Sequence, residues 1–247
     1  MVEQKAFVLH VRPYQENQQL VELLTEYDGK VSALVYVGQS KRSIKKALLQ
    51  PFLPLNVAFK ENGSQNTRLK MLNRVEANSK SYVLTKNSLY SAFYVNELLV
   101  RLLTDDIICE TLFSQYQSTI AALSQGLAIA PQLRAFELSL LDELGLSLDF
   151  TPVFEDNGKH VAGFYYVAEQ GFTPAYHYAI KNITTPWFNT LHLQAIAEQN
   201  NDRNKPELAG IDQTFKRLMR QIFHLLLEGK PLNSRKLFVM KKYNTEL

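Results

Sequence analysis

With one cysteine, one tryptophan and ten glycines in 247 residues, the chain is excluded from several protein classes at once. Cys109 alone cannot close a disulfide within the chain, nor build a zinc site from several thiolates. Its neighbours Asp105, Asp106 and Glu110 disfavour a thiolate, so it reads as a core filler. The five histidines, His10, His160, His177, His192 and His224, lack any His-x-x-x-His or similar ligand spacing, and the expectation is no metal and no cofactor. No apolar run approaches the roughly 18 to 20 residues of a membrane span. The opening Met1-Val2-Glu3-Gln4-Lys5 lacks the layout of a signal peptide, which predicts a cytoplasmic protein with no membrane partner. Gly-x-Ser-x-Gly, a Walker phosphate loop and Gly-x-Gly-x-x-Gly are all missing. The pairs Asp105-Asp106 and Asp142-Glu143 are adjacent, so on a helix they point about 100° apart and read as solvated faces rather than metal ligands. The expectation is a protein that is not an enzyme, with a nuclease built from scattered carboxylates as the minor alternative.

What is present is enough chain for two or three units sharing one body. Hydrophobic residues at 46% and charged residues at 21% are those of an ordinary globular protein. The net charge of +3 is small, but it is unevenly placed. From Lys30 to Lys80 ten basic residues face only Glu61 and Glu76, a local excess of +8. Over residues 81–150 only Lys86, Arg101 and Arg134 oppose eight acids, a local −5. Such asymmetry points to a polyanionic partner for the basic segment, against the plainer reading of a solvated lysine-rich face.

Periodicity divides the chain further. Ala6-Phe7-Val8-Leu9 and Leu20–Leu24 lead to Asp28-Gly29, a hairpin dipeptide, after which Val31, Ala33, Val35 and Val37 alternate. Leu53 to Phe59, a turn at Asn62-Gly63 and Thr67 to Val75 complete about five strands, the number in an OB-type barrel and also in an SH3-like one. From Thr85 the period becomes helical. Leu89, Phe93, Asn96, Val100 and Leu103 form one stripe, with Asn96 expected to make a helix–helix hydrogen bond and Glu97–Arg101 a structural i, i+4 pair. Ile108, Leu112, Tyr116, Ile120 and Leu123 predict a second helix; Pro131 starts a third, carrying Leu133, Phe136, Leu140, Leu141 and Leu144 and ended by Gly145. Residues 147–185 read as a small β-rich insertion with an Asp156-Asn157-Gly158 turn, and helix resumes near Trp187. After a polar break at Asn200–Asn204, a last long helix buries Ile211, Phe215, Leu218, Met219, Ile222 and Leu226 and presents Lys216, Arg217 and Arg220 on its opposite face. The expected fold class is α+β: an OB-type barrel over residues 1–80, a helical bundle over 81–146 and a mixed C-terminal region over 147–247.

Several blocks resemble one family. Ala6-Phe7-Val8-Leu9-His10-x-Arg12-Pro13-Tyr14-x-Glu16, Leu24-Thr25-Glu26-x-x-Gly29-Lys30-Val31 and Leu49-Gln50-Pro51-Phe52-x-Pro54-Leu55 come first. Leu89–Leu99, Leu133–Leu141 and Gly229-Lys230-Pro231-Leu232-x-Ser234-Arg235-x-Leu237-Phe238 follow in order. Together they resemble the RecO family of bacterial recombination mediators, almost end to end. The resemblance implies an N-terminal OB domain, a helical bundle and a C-terminal region that carries a zinc-ribbon-like insertion in many members. Here the segment after Leu148 has no cysteine, which resembles a metal-free branch. It also implies a role in DNA repair by the RecF pathway: binding single- and double-stranded DNA, annealing strands coated with single-strand-binding protein (SSB), and acting with RecR to load RecA. The rival function is a generic OB-fold RNA-binding protein.

The candidate DNA contacts are Arg12, Lys30, Lys41, Arg42, Lys45, Lys46, Arg68 and Lys70, with four of them in the polar connection after Gly38. Tyr36, Phe52 and Phe59 could stack on bases, though each is expected in the core. The acidic SSB tail ends in a carboxylate beside a phenylalanine, so its implied site needs a cation next to apolar residues; Arg134 with Phe136, Leu140 and Leu141 is the candidate. A salt bridge from Arg134 to Glu137 is the alternative. Lys216, Arg217 and Arg220 are a secondary basic face.

Overall fold

Alternating apolar residues on five short strands point into one interior, and the strands close around it. The computed structural model describes residues 2–38, 43–60, 69–105, 107–155, 161–176, 186–198 and 208–243, with side chains described to residue 238. The expected turns at Asn62-Gly63 and Asp156-Asn157-Gly158 and the polar break at Asn200–Asn204 lie outside them. Strands β1 (Gln4–Tyr14), β2 (Gln18–Thr25), β3 (Gly29–Tyr36), β4 (Leu55–Phe59) and β5 (Leu69–Ala77) form a closed barrel in the order β1-β2-β3-β5-β4. β3 and β5 run parallel while the other neighbours are antiparallel, and a short helix α1 (Ile44–Leu48) lies between β3 and β4 in the chain. This is an OB-type barrel. Its interior is filled by Ala6, Val8, Val21, Leu23, Val31, Ala33, Val35, Leu55, Val57, Leu72 and Val75.

Gly29 begins β3 at φ 65°, after the three-residue turn Glu26-Tyr27-Asp28. A Cβ there would lie 1.7 Å from the Ile107 carbonyl oxygen, so both the left-handed backbone and the close approach demand glycine. β1 carries a second irregularity, a register shift between Val8, which opposes Leu23, and His10, which opposes Glu22. Ahead of this bulge the even-numbered residues Ala6 and Val8 face the interior; beyond it Arg12 and Tyr14 pair with the outward-facing Leu20 and Gln18.

The chain divides into two compact units, Met1–Ser139 with Leu232–Leu247, and Leu140–Pro231. In the first, helices α2 (Lys86–Leu102) and α3 (Glu110–Ser124) pack on the barrel, joined by the beginning of α4 (Ile129–Glu143) and by α8 (Ser234–Tyr243). α4 starts two residues before Pro131, which sits in the first turn, where backbone N–H groups have no helical partner and a proline removes no hydrogen bond. The Asn96 amide of α2 donates to the Val8 and Leu9 carbonyls at 3.4 and 3.1 Å and accepts from the Tyr116 hydroxyl of α3 at 2.8 Å. The Phe7 ring packs against Tyr82, Phe113 and Tyr116, with centroids 6.4, 5.8 and 5.1 Å away.

In the second unit, α5 (Thr151–Glu155) precedes a three-stranded sheet of order β7-β6-β8, made of β6 (Val161–Val167), β7 (Gly171–Tyr176) and β8 (Trp187–Asn189). Helices α6 (Thr190–Ala197) and α7 (Ile211–Leu226) complete it. The helix expected near Trp187 begins three residues later, because Trp187–Asn189 pair with β6 and bury Phe188 before Asn189 caps α6. Gly163 permits that pairing: a Cβ would lie 2.1 Å from the Phe188 carbonyl oxygen.

The Asn96 network generates a stability prediction. Asn96→Leu leaves the Leu9 carbonyl and the Tyr116 hydroxyl buried without their Asn96 partner, and should lower stability by about 2–4 kcal/mol in urea denaturation followed by circular dichroism. Tyr116→Phe removes one hydrogen bond and should cost about 1 kcal/mol. Equal losses in the two variants would contradict a bridging role for Asn96.

Candidate nucleic-acid interface

The helices cover one end of the barrel's outer surface and leave the other open. At the covered end Phe7, Leu9, Leu24 and Lys30 are all buried. Ser32 donates to Asp105 at 2.7 Å, and the Lys30 ammonium reaches the Val100 and Leu103 carbonyls at 3.2 and 2.6 Å and the Asp105 carboxylate at 3.0 Å. The carbonyl end of α2 is thereby met by a cation, as its dipole favours.

Past the bulge the outer residues lie in three rows, of which His10–Glu22–Ser32 is the one nearest the helices. Tyr14 lies opposite Gln18, and Gln18 opposite Tyr36; in the next row Arg12 opposes Leu20, Leu20 opposes Leu34, and Leu34 neighbours Met71. Directly paired residues share a face, so these side chains emerge together. Tyr14 is 40% and Tyr36 57% exposed, and the side chains of Arg12, Tyr14 and Tyr36 have no hydrogen-bond, ion-pair or ring partner among the described residues. Tyr36 therefore departs from the core placement expected of it. Phe52 keeps that placement, with its ring edge-on to Phe93 at 5.2 Å, and Phe59 is half-buried beneath the Lys70 ammonium at 5.5 Å. Tyr14 was not singled out from sequence; its i, i+2 spacing from Arg12 was the available signal.

Among the described residues, the cations between Lys30 and Lys80 divide into enclosed, paired and open ones. Lys30 is 8% exposed and fully engaged by α2 and Asp105, which removes it from the surface cations. Lys70 pairs with Asp28 at 3.3 Å, and Arg74 with Glu76 and Glu3 at 2.9 and 3.3 Å. Arg12, Lys45 and Lys46 are exposed, with Lys45 donating to the Asn73 carbonyl at 3.3 Å. Lys41, Arg42 and Arg68 lie outside the described residues.

In the bundle, Arg134 meets the buried Glu137 carboxylate, the ion pair weighed as the alternative to partner capture, and retains a side-chain exposure of 15%. The Tyr94 hydroxyl donates to the other Glu137 oxygen at 2.6 Å. Phe136, Leu140 and Leu141 are each fully buried and lie beneath the surface. Glu97 accepts the N–H groups of Asn233 and Ser234, both at 2.8 Å, and so caps α8 besides pairing with Arg101 at 3.4 Å. In the second unit Lys216, Arg217 and Arg220 are exposed on α7, with the Arg217 guanidinium 5.6 Å from the Phe188 ring centre. Among the described residues no three histidine, cysteine, aspartate or glutamate side chains gather as metal ligands.

Burial pushes the Glu137 carboxyl up to about 7, outweighing the nearby Arg134, the Tyr94 hydrogen bond and Arg235. A carboxyl raised on folding contributes stability that is complete below its ordinary 4.5 and is lost as pH rises through about 7. Between pH 5 and 8 the protein should therefore lose up to about 3 kcal/mol relative to Glu137→Gln, measured as the difference between their urea-denaturation curves. Parallel pH profiles would show that Glu137 stays ionised throughout.

Residues 1–79 match the family model "Recombination protein O N terminal" and residues 85–179 match "Recombination protein O C terminal". A DNA repair protein RecO from Cellvibrio japonicus is 36% identical over 239 residues, 95% of each chain. One from Tolumonas auensis is 39% identical over 236 residues, 94% of this chain and 93% of its own; another from Pectobacterium atrosepticum is 38% identical over 239 residues, 95% and 91%.

Proposed function

Because the chain belongs to the RecO family of DNA repair proteins, we propose that it is a recombination mediator that binds DNA on the open end of its barrel. It then anneals complementary strands coated with SSB and, with RecR, helps load RecA. The observation that carries this reading is the outer face of β1–β3 that the described helices leave open, where Arg12 has no acidic partner among the described residues; Lys45 and Lys46 are exposed on α1, which lies against β5. Lys41, Arg42 and Arg68 extend the same proposal from sequence. Such cations neutralise phosphates without reading bases, which suits a protein that must act on any sequence. Annealing asks for no catalytic group: two strands brought together pair by themselves once their phosphate repulsion is screened. Lys216, Arg217 and Arg220 of α7 are the proposed contact for a second strand or for duplex. The work is that of a binding protein inside the cell, at the nucleoid.

The phosphate reading is tested by replacing Arg12, Lys45 and Lys46 together with alanine. Affinity for single strands of any sequence should fall alike, and the slope of log affinity against log salt should flatten by roughly 0.7 for each lost contact. An unchanged slope removes these three cations from the phosphate path.

The SSB tail is assigned to Arg134, whose partly exposed guanidinium is held by Glu137. Arg134→Ala should weaken binding of a tail peptide by about 1.5–3 kcal/mol in calorimetry, the scale of a charge-assisted hydrogen bond, and leave naked-DNA affinity intact. Glu137→Gln keeps the cation and should bind the peptide at least as well as the unaltered protein. Unchanged binding by a folded Arg134→Ala protein moves the tail elsewhere.

A further inference from the structure

We propose that Tyr14, Gln18 and Tyr36 form a base-reading row that engages unpaired nucleobases, so that the barrel face distinguishes single-stranded from double-stranded DNA. The inference rests on the DNA-binding reading above and names what the face recognises beyond phosphate. The three residues are consecutive partners across β1, β2 and β3 and lie on one outer face. Both rings are substantially open to solvent, and no aromatic, cation or hydrogen-bond partner among the described residues occupies either. Two large rings on one outer row offer adjacent aromatic faces, and a π-face is the one recognition element that every base accepts. Gln18 stands between them and offers an amide donor and acceptor to a base edge.

Spacing decides which nucleic acid fits. Two steps of roughly 4.8 Å between strands put the Tyr14 and Tyr36 backbones about 10 Å apart. Bases in a duplex are stacked about 3.4 Å apart with both faces already covered, so they can present no free face to either ring. A single strand can splay two bases apart and stack one on each. Arg12 lies one row away, among Leu20, Leu34 and Met71, where it can hold a phosphate while the bases turn to the tyrosine row. On the other side of that row the turn carries the exposed Glu16, which disfavours phosphate there.

The test compares two single strands of equal length and charge, oligothymidylate and a wholly abasic strand, by fluorescence anisotropy. The unaltered protein should bind the base-bearing strand more tightly by roughly tenfold for each ring engaged. A Tyr14→Ala/Tyr36→Ala protein should lose that preference, bind the abasic strand and duplex as before, and keep its salt slope; the Phe/Phe variant should retain the preference. Equal binding of both strands by the unaltered protein, or a preference that survives the double alanine variant, overturns the base-reading row while leaving the phosphate reading intact. Failure to bind either strand overturns the DNA reading itself and this proposal with it. Circular dichroism of the alanine variant, whose changes are confined to exposed side chains, separates lost stacking from lost structure.

Discussion

The hydrogen bonds from Asn96 to the first strand are the constraint on which the open barrel face depends. The bulge in β1 leaves Leu9 without a cross-strand partner, and its buried carbonyl needs a donor. Asn96 supplies one from α2 while Tyr116 holds the amide's own oxygen from α3, so one side chain joins strand, helix and helix. The consequence lies some residues away. Without the extra residue at the bulge, Arg12 and Tyr14 would follow the even-numbered Ala6 and Val8 into the barrel interior, since a slip of one residue exchanges the two faces of a strand. A polar side chain inside an apolar helical stripe thus sets which groups of the barrel meet solvent.

Charge does two separable jobs in the first unit. Some charged groups build the architecture: Lys30 meets the carbonyl end of α2, Glu97 caps α8, and Glu137 is enclosed with Arg134 and Tyr94. Their surroundings consume their hydrogen-bonding capacity, and Glu137 shows the cost of enclosure in a carboxyl that holds its proton to about 7. Others, Arg12, Lys45 and Lys46, stand at the surface. A count of lysines and arginines along a segment cannot make this division, because both kinds add equally to the local excess.

Much of the architecture was legible in the residues. Alternation marked the barrel strands, Gly29 marked the hairpin, and the 3.6-residue stripes marked α2, α3, α4 and α7, because each pattern reflects a local period that burial imposes on any chain. Asn96 as a polar helix contact and Glu97–Arg101 as a structural pair were readable for the same reason. The short β8 was not: Trp187–Asn189 is too brief to show a period, and its pairing with β6 depends on the absence of a side chain at Gly163. Lys30 looked like a surface cation because nothing local reports that a distant helix end will meet it, whereas the Arg134–Glu137 pair was readable from its i, i+3 spacing.

By itself the sequence determined the fold class, the barrel-then-helices order and the family, since these follow from local periodicity and from motifs that are contiguous in the chain. Only the tertiary structure decided which cations remain at the surface and that Tyr14, Gln18 and Tyr36 share one row. Those facts come from strand register and from helix ends docking on strands, and register is set by contacts between residues far apart in the chain.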